Sequence, residues 1–173
     1  MSGFVLFTDV SLDPQRKSGV GGYLILPASV LEMPPQDIEG SQWTDKVVLR
    51  RFEETSSTQM EVRTILWALE EYRGEIGITG EGTLQIYSDS QCVTGLLSRR
   101  SRLEENSFLS GKTGRPLKNA AFYRAFYRLY DELHFEVIKV RGHSPSHSHD
   151  TFRRIFSVVD KTVRRVMKCH SVY

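Results

Sequence analysis

Two cysteines among 173 residues, Cys92 and Cys169, are too few for a disulfide framework, and without a C-x-x-C spacing they build no zinc site. Both read as ordinary thiols. No run of about eighteen apolar residues exists, which excludes a membrane-spanning helix. The start, Met1-Ser2-Gly3-Phe4, enters strand-like sequence directly and lacks the basic, apolar and small-residue order of a secretory signal. These absences lead to the expectation of a cytoplasmic protein. A large charge of one sign is missing too: a net +2 neither demands nor excludes nucleic acid, so placement of the basic residues matters more than their sum. What remains is ordinary. With 39% hydrophobic and 25% charged residues, the chain reads as one globular domain over 1–173 with a sizeable core.

The run Phe4-Val5-Leu6-Phe7-Thr8-Asp9 is dense and apolar until its polar end, the pattern of a strand buried on both faces. A turn over Asp13 to Ser18 leads to Gly19-Val20-Gly21-Gly22-Tyr23-Leu24-Ile25-Leu26, close enough to pair as a hairpin. Its glycines lead into a β-run rather than a helix, so they serve close packing or a bulge and not a phosphate cradle. Residues 27–44, with three prolines and little periodicity, read as a surface insertion between the second and third strands. Lys46 to Phe52 restores strand character and completes an antiparallel meander.

Helical spacing follows. Val62, Ile65, Leu66, Leu69 and Tyr72 form an i, i+3, i+4, i+7 stripe, with Gly74 placed to end it. Thr83 to Ser88 is a fourth strand and Ser90 to Leu97 a short helix. Strand, long helix, strand implies a crossover and parallel pairing, which carries Asp9 and Asp89 to the ends of neighbouring strands. A second long helix spans Asn119 to Leu133, and Phe135 to Val140 is a fifth strand. The last helix starts at Thr151 and buries Phe152, Ile155, Phe156, Val159 and Val163.

Four carboxylates stand out, and each has a plain structural reading beside a chemical one. Asp89 suits a turn or helix N-cap. Glu61 closes Thr58-Gln59-Met60-Glu61, a capping-box pattern. Asp9 ends its strand. Asp160 lies on the inward stripe of the last helix, where an unpartnered carboxylate pays for desolvation; Asp150, by contrast, is adequately explained as that helix's N-cap. The layout draws Asp9, Glu61, Asp89 and Asp160 towards one end of the sheet, where they would repel one another unless cations intervene. Oxygen-only donors suit hard ions, and two such ions clamp the attacking and leaving oxygens of a phosphodiester hydrolysis. The loop Arg141 to His149 holds three histidines but lacks the helical i, i+4 spacing of a zinc site.

The ordered set Phe7-Thr8-Asp9-x-Ser11, Gly19-x-Gly21-Gly22-Tyr23, Thr58-x-Met60-Glu61, Asp89-Ser90-Gln91, Lys118-Asn119 and Gly142-His143, followed by Asp160, resembles the single-domain bacterial ribonucleases H, from residue 4 to about 166. The resemblance implies a mixed α/β fold with a five-stranded sheet, three strands antiparallel and two parallel, flanked by helices. It implies a monomeric endonuclease that cuts the RNA strand of RNA/DNA hybrids to 5'-phosphate products with two Mg2+ or Mn2+ ions. Asp9, Glu61, Asp89 and Asp160 would be the ligands, and His143 would assist proton transfer or product departure. Gln91 and Asn119 would touch the hybrid's minor groove, and the main chain at Ser11 would sense the 2'-hydroxyl. Arg99, Arg100 and Arg102 fall at the family's basic substrate-binding protrusion. Three departures stand, the first being the added 27–44 segment. Val10 replaces the glycine common after the first aspartate. Asp160 follows His143 by seventeen residues instead of about ten, and the seven extra residues, about two helical turns, return to the same face. Asp150 is the alternative ligand. The same fold also serves nucleases acting on DNA, and a non-catalytic nucleic-acid-binding module is a further alternative.

Overall fold

The first strand is apolar along most of its length because it runs through the middle of the sheet, with helices on both faces. The structure is a computed structural model and describes residues 3–39, 41–76, 82–141 and 150–170. β1 (Gly3–Asp13) pairs antiparallel with β2 (Ser18–Pro27), which pairs antiparallel with β3 (Val48–Phe52). On its other side β1 pairs parallel with β4 (Thr83–Ser88), and β4 pairs parallel with β5 (Glu136–Lys139). The order β3-β2-β1-β4-β5 is the expected mixed sheet. Parallel neighbours need crossovers. α1 (Ser57–Ile76) supplies the first, and α2 (Gln91–Thr94), α3 (Leu96–Glu105) and α4 (Ala120–Leu133) supply the second. α5 (Thr151–His170) follows β5.

Alternation along the strands sorts their side chains onto two cores. Leu6, Leu84 and Ile86 meet Ile65 and Leu69 of α1 and Phe126 and Leu129 of α4. Val5, Phe7, Leu24 and Tyr87 meet Ile155, Val159 and Val163 of α5. The carboxylate-bearing elements are thereby fixed from both sides of the sheet.

Three expectations change. α1 does not end at Gly74 but runs to Ile76. A glycine inside a helix costs only about 1 kcal/mol, and the buried face of α1 offsets it. The helix after β4 is not one short piece ending at Leu97; it breaks at Gly95 and resumes as α3, which contains the Ser98 to Arg102 cluster. The excursion over 27–44 lies between β2 and β3, yet it is more than surface. It forms short 3₁₀ turns, and its Ile38 and Trp43, 6% and 5% exposed, are part of the core under α5. The Thr151 hydroxyl donates to the Met33 carbonyl at 2.6 Å, tying the first turn of α5 to the same segment.

Candidate active site

The parallel register sets Phe7 beside Tyr87, with their rings stacked at 5.0 Å. Two residues further on come Asp9, within β1, and Asp89, just past the end of β4. Asp89 is not the helix cap that its position suggests. Ser90 caps α2, its hydroxyl accepting from the Val93 N–H at 3.3 Å, and the Ser88 hydroxyl accepts from the Ser90 N–H at 3.1 Å.

Glu61 is likewise released from capping. The Ser56 hydroxyl accepts from the Gln59 N–H at 3.3 Å, so α1 starts earlier than the Thr58 box requires and Glu61 falls in its second turn. Its Oε2 is buried without a hydrogen-bond partner among the described residues. Oxygens of Asp9, Glu61 and Asp89 all lie within 4.8 Å of one another. Buried polar atoms are ordinarily satisfied, and an acceptor of this kind inside a carboxylate cluster fits coordination to a cation.

The fourth carboxylate reaches the cluster past a glycine on β2. Asp9 pairs across the strands with Gly22, and a Cβ at Gly22 would stand 2.6 Å from Val163 Cγ2. The bare backbone lets α5 settle against the sheet beside Asp9, where Asp160 shares a side-chain hydrogen bond with it. On the opposite face a Cβ at Gly21 would collide with Thr64 Oγ1, so α1 uses the same device. Arg164, one turn on, holds Asp160 Oδ1 at 2.9 Å. Asp150 instead begins α5, its carbonyl accepting from the Arg154 N–H at 3.1 Å and its carboxylate 3.6 Å from Arg153. Of the two alternatives, Asp160 is the one brought to Asp9.

The electrostatics follow from crowding. Burial, then the Asp160 hydrogen bond and the charges of Asp89 and Glu61, push the Asp9 carboxyl up to about 9. Burial and the charge of Asp89 push Glu61 up to about 8. Burial and crowding favour the protonated form of Asp9 when no cation is bound. A divalent cation is the other way to relieve the cluster, and all-oxygen donors suit Mg2+ or Mn2+.

The other sequence-selected residues are spread around this point. Ser11 lies on β1 opposite Val20, and Gln91 is exposed at the start of α2. Asn119 precedes α4, and its Oδ1 accepts from Gln59 Nε2 at 3.3 Å. Arg100 is held by Glu104 at 2.8 Å and by both oxygens of Asp131, and Arg99 donates to the Cys92 carbonyl at 3.1 Å. Arg102 is exposed. His143 lies outside the described residues. Sequence reasoning missed Gln59, which grips Asn119 from α1, and Arg164, which steadies Asp160. Only the i, i+4 spacing of Asp160 and Arg164 carried a signal.

A model of the RNase H family matches residues 1–154. The chain belongs to the RNase H family. Solved RNase H structures share the fold at low identity. LC11-RNase H1, isolated from compost, is 10% identical with a TM-score of 0.61, covering 98% of this chain and 99% of that one. LC9-RNase H1, a type 1 RNase H with the type 2 active-site motif, is 14% identical with a TM-score of 0.64, covering 96% and 72%. A foamy viral protease-reverse transcriptase in complex with RNA/DNA hybrid is 10% identical with a TM-score of 0.61. There the match covers 95% of this chain but 19% of the viral one, so the chain spans about a fifth of that protein. No curated protein matches. Asp160 falls beyond the matched span of the RNase H model, so its place in the cluster rests on the geometry alone.

Proposed function

We propose that the chain is an endonuclease that hydrolyses the RNA strand of RNA/DNA hybrids, with Asp9, Glu61, Asp89 and Asp160 holding two Mg2+ or Mn2+ ions. The observation that carries this reading is the convergence of three carboxylates within 4.8 Å around a buried, unpartnered Glu61 oxygen. When bound, such ions supply Lewis-acid polarisation of the scissile phosphate and a nucleophilic water at neutral pH. The chain's own residues do the rest. Asp9 and Asp89 fix the site to the rigid sheet, Glu61 closes it from α1, and Asp160 closes it from α5 with Arg164 as its counter-charge. The raised affinity of Asp9 and Glu61 for protons would keep those carboxyls partly neutral whenever no cation is bound. Gln91, Asn119 and the main chain at Ser11 lie on the hybrid, with Gln59 holding the Asn119 amide in place. Of the three arginines on α3, Arg102 is the one left exposed towards substrate. His143 takes the proton-transfer or product-release role. A cytoplasmic setting agrees with Cys92 and Cys169 being free thiols.

The test is a hybrid labelled separately on each strand, incubated with Mg2+ or Mn2+. The RNA strand is cut to 5'-phosphate products, and Asp89→Asn lowers the rate on the order of 10³-fold, the size of losing a main transition-state charge stabiliser. Equal cutting of double-stranded DNA would replace this reading with a DNA nuclease. Tight hybrid binding with no cutting in either metal would replace it with a binding module.

A further inference from the structure

α5 carries six lysines and arginines against one aspartate in twenty residues, within a chain whose net charge is only +2. Lys161, Arg164, Arg165 and Lys168 recur at i, i+3, i+4 and i+7, and all four are exposed. Arg164 is paired with Asp160, whereas Lys161, Arg165 and Lys168 have no carboxylate partner among the described residues. The helix does not need these charges for its own packing. Its opposite face, with Ile155, Val159 and Val163, is already spent on the core. That also removes the apolar face with which an amphipathic helix would enter a lipid surface.

The stripe borders two shallow grooves. One, of about 360 Å³, is lined by the four cations and Cys169. The other, of about 310 Å³, shares Lys161 and Arg165 and is walled by Ser41 and Thr44 of the excursion between β2 and β3. Cations flanked by hydroxyl groups are the usual contacts of a sugar-phosphate backbone. The stripe is also continuous with the carboxylate cluster, since Asp160 sits at its edge. From Asp160 to Lys168 the helix rises about 12 Å, the axial length of three to four nucleotides at about 3.4 Å each.

We propose that the exposed face of α5, with the wall at Ser41 and Thr44, binds the phosphate backbone of the nucleic acid in the active site and extends its contact past the carboxylates. The proposal rests on the nuclease reading for its substrate but not for its measurement. The excursion thereby gains a function: it anchors α5 and completes the groove.

The experiment measures binding of a fluorescent RNA/DNA hybrid by the full chain in EDTA, where cleavage is absent, against salt concentration. The triple variant Lys161→Gln, Arg165→Gln, Lys168→Gln is expected to lower the slope of log affinity against log salt by about 2 to 3, and the affinity at about 50 mM salt at least tenfold. The charge-keeping variant Lys161→Arg, Arg165→Lys, Lys168→Arg is expected to bind as the parent does. Unchanged slope and affinity in the neutral variant would overturn the proposal. So would an equal loss in the charge-keeping variant, or loss of binding to phosphatidylserine vesicles with hybrid binding untouched. A parent chain that binds through α5 yet never cuts would sink the nuclease reading alone. A parent that cuts, with a neutral variant indistinguishable from it, would sink the α5 proposal alone.

Discussion

Asp9 and Asp89 are carried by strands, Glu61 and Asp160 by helices, and the two pairs are positioned by different physics. Sheet register decides the first pair. Once β1 and β4 are parallel neighbours with Phe7 opposite Tyr87, Asp9 within β1 and Asp89 just past the end of β4 follow. Packing decides the second pair. Glu61 and Asp160 reach the cluster only as far as α1 and α5 approach the sheet, and that approach is set by the missing side chains at Gly21 and Gly22. A site built this way has a rigid half and an adjustable half, and a change far from the carboxylates can open the adjustable one.

The sharpest way to separate the halves is Gly22→Ala. The added methyl collides with Val163 at 2.6 Å while leaving the β1–β4 register intact. Cleavage is expected to fall about 10²-fold, the cost of misplacing a catalytic group by about 1 Å. Adding Val163→Ala should recover much of that loss. A steady-state assay of the single and double variants decides it; full activity in the single variant would show that α5 is not held by this contact.

A smaller effect separates the pairs by pH. Asp9 moves from 3.8 unfolded to about 9 folded, and Glu61 from 4.5 to about 8. Between those values the folded metal-free chain binds protons that the unfolded chain releases, so stability is full below about pH 4 and declines as pH rises towards 8 and 9. The melting temperature in EDTA is expected to drop by several degrees from pH 5 to pH 9, at about 2–4 °C per kcal/mol for this chain length. Asp9→Asn and Glu61→Gln should each flatten part of that slope, and Mg2+ should flatten it in the parent. A melting temperature that climbs with pH in EDTA would contradict the crowding described for the cluster.

The smallest effect tests the division of labour at β4. Ser90→Ala removes the cap of α2 and is expected to cost about 1 kcal/mol, seen as a fall of about 2–4 °C in melting temperature, with cleavage nearly unchanged. If it abolished cleavage with little change in stability, Ser90 would belong to the chemistry and not to the cap.

The same contrast explains how much the sequence disclosed. Strand-borne features were legible: the apolar run into Asp9, the run into Asp89 and the crossover between them suffice for the sheet order. The α5 stripe marked Asp160 as inward. Features set by packing were hidden. Thr58 to Glu61 imitates a capping box that Ser56 replaces, and Gly74 imitates a stop that tertiary contacts override. Three prolines gave the excursion a loop-like pattern that concealed Ile38 and Trp43. The Ser98 to Arg102 cluster announced a basic surface, yet Arg100 is consumed by Glu104 and Asp131, partners that no local pattern reveals.

The helix-borne half decides whether the site is complete, and the most direct measurement is hybrid cleavage by Asp160→Asn and Asp150→Asn assayed side by side in Mg2+. Asp160→Asn is expected to lose activity on the order of 10²- to 10³-fold, while Asp150→Asn keeps most of it. The reverse pattern, with only the Asp150 variant inactive, would contradict the site as assembled from β1, α1, β4 and α5.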